Sequence, residues 1–123
     1  EVRPERVSGH LDLRPELIGH YAHHRLHGGV ISAAMDSMGG LAVLAAMAAR
    51  HMDDSVEQRM LRFAKLGTID LRVDYLRPAV GSARFRIGAE TLRLGSRVAS
   101  TRMEFHGADG TLLAVGSAAY IVS

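Results

Sequence analysis

The longest apolar segment of the chain, residues 28–49, predicts a helix. Asp36 is the one charged residue in it, and most of the rest are alanine, glycine, methionine and aliphatic side chains. A helix that is apolar on nearly every side is usually buried on nearly every side. We therefore expect a central buried helix with a single acid in it, although acids are rarely buried without a partner or a function.

The same segment is long enough to cross a bilayer, for which about 20 apolar residues suffice. A carboxylate at the middle of a span costs about 2.5 to 3.5 kcal/mol on insertion scales. The segment is rich in Ala and Gly rather than in Leu and Phe, and the residues behind it alternate in the manner of β-structure. The sequence therefore favours a helix buried within a protein core, and we expect no membrane partner.

Alternation of apolar and polar residues predicts one strand before this helix and four after it. In chain order the predicted strands cover residues 7–13, 68–77, 82–94, 97–106 and 111–122. In the second strand the alternation places Ile69, Leu71, Val73 and Tyr75 on one face. The third strand loses its phase around residues 90–92, which predicts a β-bulge. The last is apolar on both faces, as expected of a covered strand.

The segments between these elements carry turn and cap signals. Loop or turn signals cover residues 16–27, 95–96 and 109–110. Ser55 followed by Gln58 matches a capping box, which predicts a short helix over 56–64. The economical packing is α+β: an antiparallel sheet of four or five strands, the last four in a meander, wrapped around one long buried helix.

Composition narrows the classes of function. The 123 residues suffice for one domain, taken as 1–123, and the absence of cysteine excludes disulfides and thiolate chemistry. The net charge is +2, and no basic stripe interleaved with aromatic residues indicates nucleic-acid binding. Nearly all cations are arginine, whose planar guanidinium suits phosphate and carboxylate groups. No signal peptide is predicted, so we expect a cytoplasmic protein.

Three motifs in this order resemble a known family. They are LHGG at 26–29 with Asp36 nine positions after the histidine, TIDLRVDYLRPA at 68–79, and the hairpin segments RLGSRVAS at 93–100 and ADGTLLAVGSAAYIV at 108–122. Together they resemble the acyl-CoA thioesterases of the hotdog fold, in particular the PaaI-like group of the 4-hydroxybenzoyl-CoA thioesterase superfamily. The resemblance covers about Leu26 to Val122. It implies a hotdog fold, hydrolysis of an acyl-CoA thioester, and homodimers that commonly pair into homotetramers.

The resemblance also implies roles for three residues. In that group the amide of the glycine that opens the helix polarises the thioester carbonyl, and this glycine is Gly28 here. The helix acid, Asp36, activates water or attacks the carbonyl, and a hydroxyl near the start of the following strand, Thr68, assists. No metal or prosthetic group is needed, and coenzyme A enters only as part of the substrate.

The expected substrate-binding residues surround the start of the helix. The family often has Asn or Gln six residues before the histidine, where this chain has Tyr21. His23 or His24 is a substitute for that amide side chain. His27 fixes the loop that enters the helix, and the Gly29 amide lies beside that of Gly28.

The residues themselves support this chemistry but require a second chain. A helix N-terminus offers unpaired N–H groups and a positive dipole end to a developing oxyanion. Gly28 and Asp36 would stand about 12 Å apart on one helix, whereas reacting groups must approach to about 3 to 3.5 Å. We therefore predict a homodimer whose antiparallel partner helix brings the partner's Asp36 level with Gly28. Gly39 and Gly40 would permit the close helix contact.

The phosphates of coenzyme A need cationic or amide donors. Arg93, Gly95, Ser96 and Arg97 offer two guanidinium groups and free amides at a predicted turn, in a region that the family often uses for the nucleotide. Arg77 is a second candidate. A solvated hairpin tip explains the same residues equally well.

Three other interpretations stay open. Asp36 can be a structural acid paired with an arginine. Four histidines are spaced like metal ligands along a helical turn, at positions 20, 23, 24 and 27. The chain can also be a non-catalytic module that binds acyl-CoA or an acyl carrier, because Tyr21 departs from the family pattern.

Overall fold

The computed structural model describes the backbone of residues 1–123 and all side chains except those of His20 and Tyr21. The elements are, in chain order, β1 (Arg6–Asp12), β2 (Ile18–His20), β3 (Arg25–Leu26), α1 (Gly28–Arg50), α2 (Val56–Ala64), β4 (Gly67–Tyr75), β5 (Arg84–Leu94), β6 (Val98–His106) and β7 (Leu112–Ile121). The long helix therefore begins and ends within one residue of the predicted bounds.

One antiparallel sheet of five strands wraps around α1, in the order β1-β5-β6-β7-β4. The helix contacts all five strands. Met35 and Val43 of α1 are fully buried against the sheet, as are Phe85 and Phe105, whose rings stack with centroids 5.3 Å apart. The α+β class and the hotdog arrangement implied by the resemblance are confirmed.

The position of β4 corrects the predicted four-stranded meander. Only β5, β6 and β7 form a meander, and β4 pairs with β7 at the far edge of the sheet. The segment between β4 and β5 connects one edge of the sheet to the strand beside the other edge. Near its start Leu76 N–H donates to Leu113 O, and near its end Ala83 O accepts from Leu13 N–H. Alternation along a strand specifies its faces but not its neighbour, so this crossover could not be read from the pattern.

A β-bulge in β4 corrects the predicted face of Ile69. The register against β7 shifts between Thr68, which pairs with Tyr120, and Asp70, which pairs with Ala119, so Ile69 is the extra residue. Ile69 is 57% exposed. The bulge places Thr68 on the helix side of the sheet, together with Leu71, where strict alternation would point it away.

Helix α1 is buried on one side only, which corrects the prediction of burial on nearly every side. Gly39 and Gly40 are buried and face the chain's own Tyr120, so they are not free for a partner helix. The opposite side exposes a stripe of small residues, namely Gly29, Ala33 and Ser37. The helix is apolar enough for a membrane span, with a mean hydropathy of 1.6, yet only 39% of its most apolar window is buried.

The connections agree with most of the turn signals. Ser55 and Gln58 form the reciprocal capping box of α2, as predicted. Residues 16–27 are more ordered than a loop, because β2 and β3 form a small antiparallel ladder within them. In the β5–β6 hairpin, Gly95 N–H donates to Val98 O, so the turn comprises residues 96–97, one position later than predicted.

Candidate active site

Asp36 lies on the side of α1 that faces the edge of the sheet, and two hydroxyl groups converge on it. Thr68 Oγ1 donates to Asp36 Oδ1 at 2.9 Å, and Tyr120 OH lies 3.1 Å from the same oxygen. Tyr120 OH also lies 2.7 Å from the backbone carbonyl oxygen of Asp36. Among the described side chains, none donates to the second carboxylate oxygen, Oδ2, or forms an ion pair with Asp36. The arginine partner considered from the sequence is therefore absent from this part of the structure.

Thr68 reaches Asp36 because of the bulge in β4. Its hydroxyl proton points to the carboxylate in this arrangement, so the geometry supports orientation of Asp36 rather than direct donation to a water molecule. The sequence pattern alone would place Thr68 on the outer face with Asp70 and Arg72. Only the resemblance selected this residue.

Tyr120 is the residue that the sequence analysis missed. It is 1% exposed and lies next to the last residue of β7, a largely apolar strand. Burial, followed by the negative charge of Asp36 and the hydrogen bond to it, raises the pKa of the Tyr120 hydroxyl far above its usual value. The hydroxyl is therefore always a neutral donor. A tyrosine among the apolar positions of β7 was an available signal, because a buried hydroxyl requires a partner.

The N-terminus of α1 presents one uncommitted amide. His27 caps the helix, and its Nδ1 accepts from Gly29 N–H at 3.0 Å. Gly29 is therefore engaged within the chain, whereas Gly28 N–H donates to no group among the described residues. Tyr75 OH donates to Gly28 O at 2.7 Å, which fixes the first peptide of the helix against the end of β4. Gly28 is thus the better placed of the two glycines to polarise a carbonyl.

An open groove of about 450 Å³ runs from Asp36 along α1. Its walls are apolar beyond the carboxylate and include Leu41, Leu44 and Leu66. Among the lining residues only Asp36 and Tyr120 carry ionisable side chains. The arrangement offers a carboxylate with one free oxygen at the head of a channel that suits an apolar chain.

The histidine-rich segment before α1 places His23 and His24 at the surface of the protein. His24 adopts a left-handed backbone conformation with φ 50° and is exposed, as is His23. The side chain of Tyr21 lies outside the described residues, so its substrate-binding role is a prediction. No group of three His, Asp or Glu side chains is arranged to hold a metal in the described part of the chain.

The two predicted phosphate-binding groups lie at opposite ends of β7. Arg77 donates to Leu112 O at one end, and Arg97 O accepts from Val122 N–H at the other. A strand of this length separates them by about 30 Å. They cannot bind the same phosphate group within one protomer.

A basic cleft of about 320 Å³ adjoins the hairpin end. Its basic side chains come from the end of α1 and from α2, which are distant in sequence from the hairpin: Arg50, His51, Arg62 and Lys65. Gly95 and Ser96 of the hairpin line the same cleft. Arg93 lies over Gly95, where a Cβ would meet its guanidinium. The sequence analysis missed the contribution of the α1 C-terminus and α2, because their proximity to the hairpin depends on the tertiary fold.

Comparison with known proteins agrees with this architecture. Residues 23–114 match the model of the family described as the thioesterase superfamily. The medium/long-chain acyl-CoA thioesterase YigI of Salmonella typhimurium is 41% identical over 109 residues, which cover 89% of this chain and 70% of that protein.

Solved structures share the fold. A crystal structure from Shewanella oneidensis, described as related to the thioesterase superfamily, superposes with a TM-score of 0.92 at 39% identity and covers 98% of this chain and 78% of its own. A hypothetical thioesterase protein of Streptococcus pneumoniae, solved with coenzyme A, has a TM-score of 0.77 at 15% identity, covering 100% of this chain and 82% of its own. That distant likeness concerns the fold alone. Family model, close relative and close structure agree, and the chain belongs to the thioesterase superfamily.

Proposed function

We propose that this chain is a cytoplasmic acyl-CoA thioesterase in which Asp36 activates the attacking water. The observation that carries the proposal is the carboxylate itself: two hydroxyls hold Asp36 through Oδ1, Oδ2 receives no hydrogen bond from the described residues, and Asp36 lines a groove of about 450 Å³. Water adds to the thioester carbonyl and gives its proton to Asp36. The C–S bond then breaks, coenzyme A leaves as a thiolate, and the proton returns to the sulfur. Gly28 N–H stabilises the oxyanion formed between these steps.

The reaction requires two protomers. Gly28 and Asp36 lie on one unbroken helix, so about 12 Å separates them along its axis. A single thioester carbonyl cannot contact both groups. We propose that the partner's Asp36 serves the carbonyl bound at Gly28, which gives two equivalent sites per dimer.

Edge strand β4 supplies a route to that dimer. Asp36 contacts Thr68 at one end of the strand, and Gly28 contacts Tyr75 at the other. The free edge of β4 is a template for a second copy. Antiparallel pairing of two copies about an axis near Arg72 would place the partner's Thr68 opposite Tyr75, and the partner's Asp36 beside Gly28.

Exposed apolar surface supports the same interface. At one end of β4 the chain exposes Tyr75, Leu76 and Val80, and at the other it exposes Ile69, Met60 and Leu61. The pairing proposed above would bring these two groups together. The exposed small residues of α1, from Gly29 to Ser37, would let the two helices approach closely. Larger assemblies, such as a dimer of dimers, would build on this unit.

The groove and the basic cleft suggest the substrate class. YigI is named for medium- and long-chain acyl-CoA, and the apolar walls at Leu41, Leu44 and Leu66 fit a chain of that kind. The cations around Gly95 and Ser96, with Arg93 and Arg97, fit the phosphates of coenzyme A. In the proposed dimer the partner's Arg77 would lie level with Lys65, at the border of the same cleft.

Thiol release from acyl-CoA of graded chain length tests the reaction. We expect activity that rises from short to medium and long chains and is abolished in Asp36→Asn, which preserves shape and removes the base. Binding of acyl-CoA without thiol release by the wild-type protein would instead support a non-catalytic binding module. Full activity in Asp36→Asn would rule out the proposed base.

Gly28→Pro tests the oxyanion donor, with Gly28→Ala as the matched control. Proline is accepted at the first position of a helix, and the extended backbone of His27 (φ −61°, ψ 132°) suits the residue before it. The proline variant therefore keeps the helix but loses the N–H. An alanine Cβ would meet only the Tyr75 ring, at 3.5 Å, and keeps the N–H. We expect kcat to fall about 100-fold or more in Gly28→Pro and much less in Gly28→Ala; equal losses would contradict the role.

Mixing two inactive variants tests the shared site. In a heterodimer of Gly28→Pro and Asp36→Asn, one of the two sites retains both wild-type groups. We expect activity to return towards half of that of the wild type in the heterodimer fraction. Failure to recover activity, with heterodimers demonstrated by native mass spectrometry, would contradict a site built from two chains.

A further inference from the structure

The hydrogen bonds around Asp36 distinguish its two carboxylate oxygens. Thr68 and Tyr120 both reach Oδ1, whereas Oδ2 receives no hydrogen bond from the described residues. We propose that Tyr120 is a positioning residue for thioester hydrolysis: with Thr68 it anchors Oδ1 of Asp36, so that Oδ2 is the oxygen that takes the proton from water. This inference rests on the proposed function and assigns a task to each oxygen of its base.

Tyr120 ties the side chain of Asp36 to the helix backbone. Its hydroxyl lies within hydrogen-bond distance of both Oδ1 and the main-chain oxygen of Asp36, at 3.1 and 2.7 Å. The two contacts share the one hydroxyl proton, so Tyr120 OH bridges the carboxylate and the backbone carbonyl of Asp36. Rotation of the carboxylate away from the groove would break this bridge and the bond from Thr68. Asp36 is thereby held in one rotamer before substrate arrives, as preorganised catalysis requires.

The core beneath the helix is shaped around the tyrosine hydroxyl. A Cβ at Gly39 would overlap Tyr120 OH and lie 3.2 Å from Cζ, so only glycine leaves room for the hydroxyl at this point. Burial and the neighbouring carboxylate raise the pKa of Tyr120, which keeps it protonated and donating. Gly39 and Tyr120 thus form a built support for one oxygen of Asp36.

Removal of the hydroxyl should affect the chemical step rather than binding. Tyr120 borders the groove but is only 1% exposed, so removal of its hydroxyl leaves the groove surface almost unchanged. Without this anchor the carboxylate of Asp36 can rotate, and a misplacement of about 1 Å can lower the rate by up to about 100-fold. Donors to a carboxylate also favour its ionised form. Loss of one donor should therefore move the acidic limb of the pH–rate profile towards higher pH.

The experiment compares Tyr120→Phe with the wild type on a thioester that the wild type hydrolyses. We expect kcat to fall about 10- to 100-fold, KM to stay within about twofold, and the acidic limb to shift upwards. Ile87→Val is the matched control, because it trims a buried core side chain on β5 that touches neither the groove nor Asp36. It should leave kcat and the pH profile unchanged.

Thr68 provides an independent test of the same oxygen. Thr68→Ser keeps a donor and should retain most of the activity, whereas Thr68→Val should reproduce the shift of the acidic limb. The double variant with Tyr120→Phe should lose less than the product of the two single losses, because both side chains hold Oδ1. If Tyr120→Phe fails to fold, Gly39→Ala serves instead, since its Cβ would push the hydroxyl, together with the ring that carries it, away from Asp36.

The outcomes separate this inference from the proposed function. Wild-type kcat and pH profile in a folded Tyr120→Phe, with Asp36→Asn inactive, would overturn the positioning role and leave the thioesterase proposal standing. A wild-type protein without thiol release would overturn the proposed function itself. Equal changes in kcat and in the pH–rate profile of Tyr120→Phe and Ile87→Val would show that Tyr120 has only a structural role.

Discussion

Substitution by alanine should have opposite effects on stability at two adjacent glycines of α1, Gly39 and Gly40. An alanine Cβ at Gly39 would overlap Tyr120 OH and lie 3.3 Å from Met103 Sδ. At Gly40 the nearest atoms are Leu66 Cδ2 at 3.6 Å and Tyr120 Cε1 at 3.7 Å, which is ordinary van der Waals contact. Both residues are buried within one helix, so helix propensity favours alanine equally at the two positions.

The expected magnitudes follow from three contributions. Overpacking in a dense core costs about 1 to 3 kcal/mol, and each hydrogen bond lost when the Tyr120 hydroxyl is displaced costs about 1 kcal/mol. The gain in helix propensity from glycine to alanine is about 1 kcal/mol. Gly39→Ala should therefore destabilise the protein by about 2 kcal/mol, whereas Gly40→Ala should stabilise it by up to about 1 kcal/mol. For a domain of this size, Gly39→Ala should lower Tm by roughly 8 °C, and Gly40→Ala should raise it by roughly 2 to 4 °C.

Urea and thermal unfolding at equal protein concentration measure both variants. The double variant Gly39→Ala with Tyr120→Phe completes a cycle, in which removal of the hydroxyl should relieve most of the cost at Gly39. Stabilisation by Gly39→Ala similar to that by Gly40→Ala would refute the reasoning. So would an unchanged cost in the Tyr120→Phe background, because the overlap would then lie elsewhere.

Two further predictions concern α2, which begins at a capping box and bears the Asp54–Arg62 ion pair. Ser55→Ala removes the cap from Gln58 N–H and should cost about 1 kcal/mol in urea unfolding at neutral pH; no loss would show that the cap is dispensable. The hydrogen bond from Arg62 lowers the pKa of Asp54, so its stabilisation is complete above its ordinary value of 3.8 and fades as the pH falls through the lowered value. Asp54→Asn should thus reduce Tm at pH 7 and leave it unchanged near pH 2, and a pH-independent loss would contradict the assignment.

Periodicity identified the elements well because each depends on local sequence. The run of apolar residues predicted α1 to within one residue, and Ser55 with Gln58 predicted the start of α2. Both depend on neighbours within a few positions along the chain. The choice of a neighbouring strand is different: β4 pairs with β7, whose residues lie 39 to 54 positions further along the chain, and alternation does not predict that contact.

The candidate site was predicted only in part, because it depends on two departures from periodicity. The bulge at Ile69 reverses the face of Thr68, and no residue in the segment marks it in advance. Tyr120 occupies a position that an apolar side chain would fill equally well by pattern. The role of its hydroxyl depends on the tertiary fold, which places Tyr120 against Gly39 and Asp36 of α1. The sequence can therefore mark such a tyrosine as a residue that needs a hydrogen-bond partner, but it cannot identify the partner, which is a tertiary contact.

The half-exposed state of α1 connects stability with catalysis. A helix with mean hydropathy 1.6 that buries only 39% of its most apolar window leaves a surface that water solvates poorly. The same exposed side carries Gly29, Ala33 and Ser37, beside the uncommitted amide of Gly28. In the proposed dimer, a partner that covers this side would remove apolar surface from water and bring its Asp36 towards that amide. The apolar surroundings of Asp36 then have one explanation in common with the proposed reaction, because the surface that would favour association is the surface on which the site is proposed.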